Sequence, residues 1–336
     1  MPVETLAAHW YTGPEHTTPE RQRVFAPAWQ VVTASARIPN VGDAIGVDAA
    51  GWPVVVVRRE EGLVAFHNVC RHRAGPLVWE GEVQSRCKRL RCRYHGWQYD
   101  LDGTLVRAPD FGGEATPRPL HPVAVGEWNG LVFVCVGDPE AVLDVERQLP
   151  ALARAFGRFQ LGSWCFGELV RHELACNWKT YVENYLEGYH IPYLHPSLSK
   201  EVDVPRYRVV VDGDVCLHEV PTREGATNDG VWAWVWPNLA LNVYDDAMSI
   251  ERILPTGPTT MRIEYTYLHA PGAEAKFAAG RAISEEVTRE DVAIVEAVQK
   301  NLEAGVYQVG ELSPKHEGGV AAFQARYRGA MGDGRS

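Results

Sequence analysis

The sequence predicts an α+β chain with a small all-β domain and a larger domain of mixed strands and helices. Three observations carry this. The 336 residues exceed what one core usually holds. Short runs rich in β-branched residues, most of them bounded by Gly, Pro or Asp, follow one another from Trp29 to Val136. Beyond Asp138-Pro139, helical periodicity enters between longer strands.

Residues 18–28 read as a short helix with an N-cap Thr and Pro near its start. Strands follow at Trp29–Ala34, Ala44–Val47, Pro53–Arg58, Leu63–Asn68, Arg89–Cys92, Gln98–Asp100, Thr104–Val106, Val123–Val125 and Leu131–Val136. In the second part, Ala141–Phe156 reads as a helix and Cys165–Cys176 as a strand. Asn177–Ile191 reads as a helix that Pro192 ends. Further strands run at Tyr207–Glu219, Val231–Val235, Leu239–Tyr244, Met248–Pro255 and Met261–Leu268, and a helix closes the domain at Ser284–Leu302.

Composition narrows the function. Hydrophobic residues make up 46% and charged residues 23%, which excludes a disordered or collagen-like chain. Apolar runs stay far below the ~20 residues of a membrane span. The stretch MPVETLAAHWYTG has neither a basic nor an apolar leader region, so the expected location is the cytoplasm. A net charge of −10 argues against nucleic acid as a partner. Residues 71–93 are an exception, with seven basic residues against Glu80 and Glu82. Such a local positive field suits an acidic partner. The seven cysteines are an odd number and read as reduced thiols, some of them metal ligands.

The tightest motif is Cys70-x-His72 followed by Cys92-x2-His95. Thiolate and imidazole pairs on two loops close a four-ligand shell, either around one tetrahedral zinc or around a Rieske [2Fe–2S] cluster with one iron on the cysteines and the other on the histidines. The repeated Cys-then-His order and the all-β setting favour iron. Cys87 lies outside the spacing.

A second constellation is Glu187-x2-His190-x4-His195. Asn184, Glu187 and His190 recur at i, i+3 and i+6, so they climb one helix face. The proline stop lets the chain turn His195 back toward His190. Two histidines and one carboxylate on one face of Fe(II) leave positions open for O₂. Glu187 lies one turn before His190 and is placed to hydrogen-bond that ligand from outside. The third ligand is expected at Asp291. At about 100° per residue, Val287, Ile294, Val295, Val298 and Leu302 form a stripe centred near 30°, and Asp291 falls near 40°. A carboxylate on an apolar stripe is costly unless it is paired or ligates a metal. Glu290 is the next candidate.

Asn68–Leu77 (NVCRHRAGPL) and Arg91–Gly103 (RCRYHGWQYDLDG) resemble the Rieske segment of Rieske non-haem iron oxygenase large subunits, with a slightly longer spacing between the halves. Asn177–Pro196 resembles their mononuclear-iron segment, and the Glu290-Asp291 pair their late carboxylate. WPNLALNVY (236–244), YQVGELS (307–313) and GGVAAFQ (318–324) resemble the branch containing choline monooxygenase and glycine betaine oxygenase, which act on quaternary ammonium substrates. Glu187 suits that branch, since ring-hydroxylating dioxygenases more often carry Asp there.

The resemblance implies a Rieske domain over 35–138 and a helix-grip, START-like catalytic domain over 139–336, with residues 1–34 packing on the latter. It implies a mono- or dioxygenase component fed by a separate NAD(P)H-dependent reductase or ferredoxin. The cluster would pass electrons to mononuclear Fe(II), where O₂ is activated to hydroxylate or oxidatively dealkylate a small quaternary ammonium or aromatic substrate. It also implies a homotrimer in which Glu187, the expected electron bridge, meets a Rieske histidine of a neighbouring subunit. No Gly-rich dinucleotide fingerprint is present, so the nicotinamide belongs to the reductase. The basic stretch is the expected dock for that partner. Trp232, Trp234 and Trp236 alternate along a strand, where they either fill the core or wall a cationic or flat aromatic substrate. The rival reading is an electron carrier with a Rieske domain, a binding domain and no mononuclear iron.

Overall fold

Val54, Val55, Val56 and Val57 are consecutive and all fully buried, which requires a strand covered on both faces. In the computed structural model, which describes residues 3–220 and 230–333, they lie in the strand Trp52–Arg59. It belongs to a seven-stranded sheet ordered Gln30–Ala34, Leu131–Cys135, Pro122–Trp128, Gly62–His67, Trp52–Arg59, Ala44–Ala49 and Val83–Gln84. One face, with Val54, Val56 and Ala65, packs on Val32, Val132 and Val134. The other, with Val55, Val57 and Phe66, packs on Leu90, Tyr99 and both motif cysteines, Cys70 and Cys92. A three-stranded sheet of Leu90–Arg91, Gln98–Tyr99 and Leu105–Arg107 completes this unit, which spans Phe25–Leu143.

The expected boundary after residue 34 moves to residue 24. Strand Gln30–Ala34 pairs with Leu131–Cys135, Ala34 facing Leu131, so residues 25–34 belong to the smaller unit. The expected helix over 18–28 is shorter: Thr17–Glu20 is followed by a wide turn over Arg21–Phe25. Pro27 disfavours helical backbone at the residue before it.

The larger unit comprises Met1–Val24 and Asp144–Ser336. Its seven-stranded antiparallel sheet runs Cys165–Leu174, Thr260–His269, Ala247–Gly257, Leu239–Tyr244, Gly230–Val235, Val215–Glu219 and Arg208–Asp212. The last two were expected as one strand. They form a hairpin that turns at Gly213, whose φ of +61° suits glycine. The expected helix Ala141–Phe156 is two, Val145–Gln148 and Pro150–Phe156, because Pro150 starts a helix and holds Leu149 out of helical backbone. The closing helix begins well before Ser284 and spans Glu274–Glu303, about 45 Å long. Ser284 is interior to it, its hydroxyl 2.9 Å from that of Tyr267. A further helix, Gly318–Met331, follows. Among the described residues, no helix is long and apolar enough to cross a membrane.

A buried ion pair ties three segments of this unit together. The Lys179 ammonium, fully buried, is 2.5 Å from Glu20 Oε1. Trp178 Nε1 donates to Glu20 Oε2 at 2.9 Å, and the Tyr327 hydroxyl to Oε1 at 2.6 Å. Removing one partner of such a pair leaves an uncompensated buried charge. Glu20→Ala is therefore expected to cost about 3–5 kcal/mol, read as a lower urea midpoint for the larger unit. An unchanged midpoint would contradict this.

Candidate metal centres and active site

The two loops of the first motif share one backbone pattern. Cys70 N donates to Gly75 O and Ala74 N to Cys70 O; Cys92 N donates to Trp97 O and Gly96 N to Cys92 O, all at 2.8–3.0 Å. Each loop places the fourth residue after its cysteine in the left-handed region, Ala74 at φ +55° and Gly96 at +73°. A Cβ on Gly75 would lie 2.9 Å from Cys92 Sγ, so only glycine lets this loop close on the thiol. Both cysteines are buried, while His72 is half-buried and His95 exposed. The two imidazoles lie with ring centres 4.6 Å apart, and His72 stacks on Trp97 at 4.8 Å.

These residues suit a [2Fe–2S] cluster. His72 Nδ1 is buried without a hydrogen-bond partner, an orphan that a metal would satisfy. Burial and the neighbouring Cys70 push the Cys92 thiol up, a cost that deprotonation onto a metal removes. The Tyr99 hydroxyl lies 3.3 Å from Cys70 Sγ and accepts from Arg71 N. Cys87 donates to Gly42 O and takes no part.

The second constellation departs from the helix expected for it. The helix is Trp178–Tyr185, N-capped by Asn177, whose Oδ1 accepts from Lys179 N at 3.0 Å. Glu187 and His190 lie in the loop beyond. The Glu187 carboxylate accepts the backbone N–H groups of Tyr189 and His190, a local bonding pattern that competes with helix. A Cβ on Gly188 would meet the Tyr207 ring at 2.4 Å, so the loop passes where only glycine passes. Pro192 does not end a helix but stands in the first turn of the next, Ile191–Leu194, where its missing N–H costs nothing. His190 and His195 are the two caps of that single turn.

Three ligand atoms converge there. His190 Nε2 and His195 Nε2 are 3.2 Å apart, and Asp291 Oδ1 is 3.1 Å from His195 Nε2 and 3.8 Å from His190 Nε2. Each histidine is fixed from behind. Glu187 Oε1 is 2.5 Å from His190 Nδ1, and Glu290 Oε2 is 2.7 Å from His195 Nδ1. Asn184 Nδ2 donates to Asp291 Oδ1 at 2.8 Å. Burial works against charge on His195, yet the hydrogen bonds and charges of Asp291 and Glu290 raise its pKa. Two imidazoles with Nδ1 held by carboxylates and Nε2 aimed at a third carboxylate suit divalent iron, with room left for further ligands.

Asp291 is buried as expected, but on a different stripe. Ile294 and Val298 are exposed, whereas Thr288, Val295, Gln299 and Leu302 are buried with Asp291. That stripe centres near 80° rather than 30°. Glu290, the next candidate for the third ligand, instead holds the His195 ring at Nδ1.

The three ligands open into a cavity of about 420 Å³ between the sheet and the long helix. Its lining holds eight aromatic side chains and six carboxylates against one guanidinium among the described residues. That guanidinium, Arg281, is already paired with Glu168 and Glu285 at 2.7 and 2.8 Å. Trp232 lines the cavity, while Trp234 and Trp236 are buried against Phe323. Asn242 accepts from the Tyr185 hydroxyl at 2.9 Å and donates to Glu251 Oε1 at 2.6 Å. Burial, reinforced by the charge of Asp291, pushes Glu251 up to about 8. Burial holds His218 neutral, its pKa lowered to about 3. Asn242 and Glu251 went unrecognised in the sequence. Their signal is a polar residue on the inward alternation of an apolar strand, Ser249 and Glu251 within MSIERIL.

Residues 161–333 match the ring hydroxylating alpha subunit (catalytic domain) family, and residues 28–118 match the Rieske [2Fe-2S] domain. The chloroplastic choline monooxygenase of Arabidopsis thaliana is 31% identical over 92% of this chain and 80% of its own length. The carnitine monooxygenase oxygenase subunit of Escherichia coli K12 is 30% identical, over 90% of this chain and 86% of its own. The crystal structure of a quaternary ammonium Rieske monooxygenase in complex with L-carnitine superposes with a TM-score of 0.86 at 26% identity, covering 98% of this chain and 96% of that one. With a thiolate–imidazole site in one unit and a two-histidine, one-carboxylate site in the other, the chain belongs to the Rieske non-haem iron oxygenase alpha subunits. It is an oxidoreductase.

Asp291→Ala is expected to abolish mononuclear iron and turnover while leaving the visible absorbance of the cluster intact. Glu290→Ala, which frees the His195 ring, is expected to weaken iron binding about 10–100-fold, measured by iron content after dialysis against a chelator. Retention of iron in both variants would place the ligands elsewhere.

Proposed function

We propose that this chain is the oxygenase component of a system that hydroxylates a small quaternary ammonium compound on a carbon next to its nitrogen. The observation that carries this is the cavity lining, in which, among the described residues, carboxylates outnumber one already paired guanidinium and aromatic rings supply the walls. Ring faces and negative charge attract a cation that carries no N–H. A neutral aromatic substrate would gain nothing from the carboxylates. The choline and carnitine monooxygenases named above are similar over most of the chain, which supports the same substrate class.

His190, His195 and Asp291 would hold iron, and Cys70, His72, Cys92 and His95 the cluster. When bound, the iron supplies O₂ activation and the cluster supplies electrons one at a time. Two electrons and two protons reduce the second oxygen atom to water while the first enters a C–H bond. A hydroxylated N-methyl group then collapses to formaldehyde and the dealkylated amine. The aromatic walls orient the cation and exclude water from the reacting carbon.

Glu187 would be the electron bridge. It is bonded to His190 Nδ1 and half-buried, where a Rieske histidine of a neighbouring subunit would meet it in a cyclic trimer. Electrons would enter from a separate NAD(P)H-dependent reductase or ferredoxin at the rim of Arg86, Lys88 and Arg89, all exposed. Within the wider basic stretch, Arg93 pairs with Glu82, and Arg89 with Asp100 at 3.0 Å. The rim therefore keeps part of its positive field.

With a reductase supplied, choline, carnitine or glycine betaine is expected to stimulate O₂ uptake with a product of the expected mass, and naphthalene is not. Uptake stimulated only by the aromatic compound would overturn the substrate class. Glu187→Gln is expected to keep both metal centres and lose most coupled turnover; full turnover would remove the bridge. Changing Arg86, Lys88 and Arg89 to Glu should slow cluster reduction at low salt and flatten its salt dependence. An unchanged rate would place the dock elsewhere.

A further inference from the structure

Two of the cavity's carboxylates, Glu187 and Asp291, are committed to the iron ligands. Glu251 is not. It stands on the strand Ala247–Gly257, directly opposite Tyr265 across the ladder, and is 5% exposed. Its Oε1 accepts from Asn242, but its Oε2 is buried with no hydrogen-bond partner. No ammonium or guanidinium among the described residues pairs with it. Its chain neighbour Arg252 points to the opposite face, where it meets Glu264 at 2.5 Å.

A buried carboxylate is costly unless something compensates it. Here Asn242 and the nearby Tyr181 and Tyr265 hydroxyls lessen that cost, but no cation among the described residues offsets it, so burial still raises the pKa of the carboxyl group. The group lines the cavity into which His190, His195 and Asp291 open. Around it stand the rings of Tyr181, Tyr185 and Tyr265. Tyr181 and Tyr265 share one hydrogen bond between their hydroxyls at 2.9 Å, and Tyr185 gives its own to Asn242. A buried carboxyl group among aromatic faces, with no cationic partner among the described residues, is one that a bound cation would hold in its ionised form, and this is the arrangement that receives a cation.

We propose that Glu251 is the counter-charge for the cationic nitrogen of the substrate, the residue that decides between a cation and its neutral isostere. This rests on the quaternary ammonium reading above and names the residue that enforces it. The aromatic walls would select shape as well as charge; Glu251 would select charge alone.

Choline and 3,3-dimethylbutan-1-ol have the same shape and differ by nitrogen for carbon and one charge. Titration calorimetry of both into the iron-loaded protein reads the discrimination directly. Wild type is expected to favour choline by about tenfold or more. Glu251→Gln, which keeps size and the Asn242 contact, should bring the ratio near one by weakening choline alone. Glu251→Asp, which keeps the charge, should retain a preference for choline. If wild type does not discriminate, the substrate-class reading falls and this assignment with it. If wild type discriminates and Glu251→Gln discriminates equally, only the assignment of Glu251 falls. A crystal structure of wild type with choline provides a test that needs no variant. Nitrogen within about 5 Å of the Glu251 carboxylate supports the proposal, and nitrogen held instead at Asp245 and Asp246 overturns it.

Discussion

The larger unit is organised by one requirement: two imidazoles five residues apart must aim their Nε2 atoms at one point. A continuous helix would point His190 and His195 apart. The chain meets the requirement by ending the helix at Tyr185, crossing Tyr207 at Gly188, and restarting as a single turn whose two caps are the ligands. Each Nδ1 is then held by a carboxylate, Glu187 from the same loop and Glu290 from the long helix. Consecutive residues of that helix do different work. Glu290 fixes the His195 ring at Nδ1, and Asp291 presents a carboxylate oxygen to its Nε2. Because both project from one helix, the His195 ring is held from both sides by the same element.

The smaller unit solves its own problem with a different material. Its cysteines lie in a valine-rich β core, His72 is half-buried against Trp97, and His95 is exposed. Two loops with the same backbone bonds bring the four side chains together, and the left-handed residues Ala74 and Gly96 make the loops tight enough. The sulfurs are thereby buried, while the His95 imidazole is exposed.

Much of this was legible in the sequence because cysteine and histidine spacing is a local property. The two cysteine–histidine pairs, the approach of His190 to His195 and the hydrogen bond of Glu187 to His190 needed no knowledge of tertiary structure. Helical periodicity places Asp291 on the buried face, beside the two histidines, although the buried stripe is rotated by about 50° from the apolar one. It is rotated because the helix buries Thr288 and Gln299, which bond to Tyr265 and to the backbone of Tyr11 and Asn177, while Ile294 and Val298 face outward. Polar burial of this kind depends on partners far away in the chain, so hydrophobic pattern misreads it. The same limit hid the bond from Glu290 to His195 and the place of Glu251 in the cavity wall, which exist only once helix, loop and sheet are assembled. Proline was read as a helix stop at Pro192, where it opens a turn, and was passed over at Pro150, where it divides one helix from another. The residue sets boundaries in both directions.

The central claim is that one chain holds two different iron centres. The quantity that tests it most directly is iron and acid-labile sulfide per chain in anaerobically reconstituted protein. The expected result is about three iron atoms to two sulfides, the cluster plus one mononuclear ion. A ratio of about two to two, with the histidine-and-aspartate site refusing added Fe(II), would make the chain an electron carrier and contradict the account.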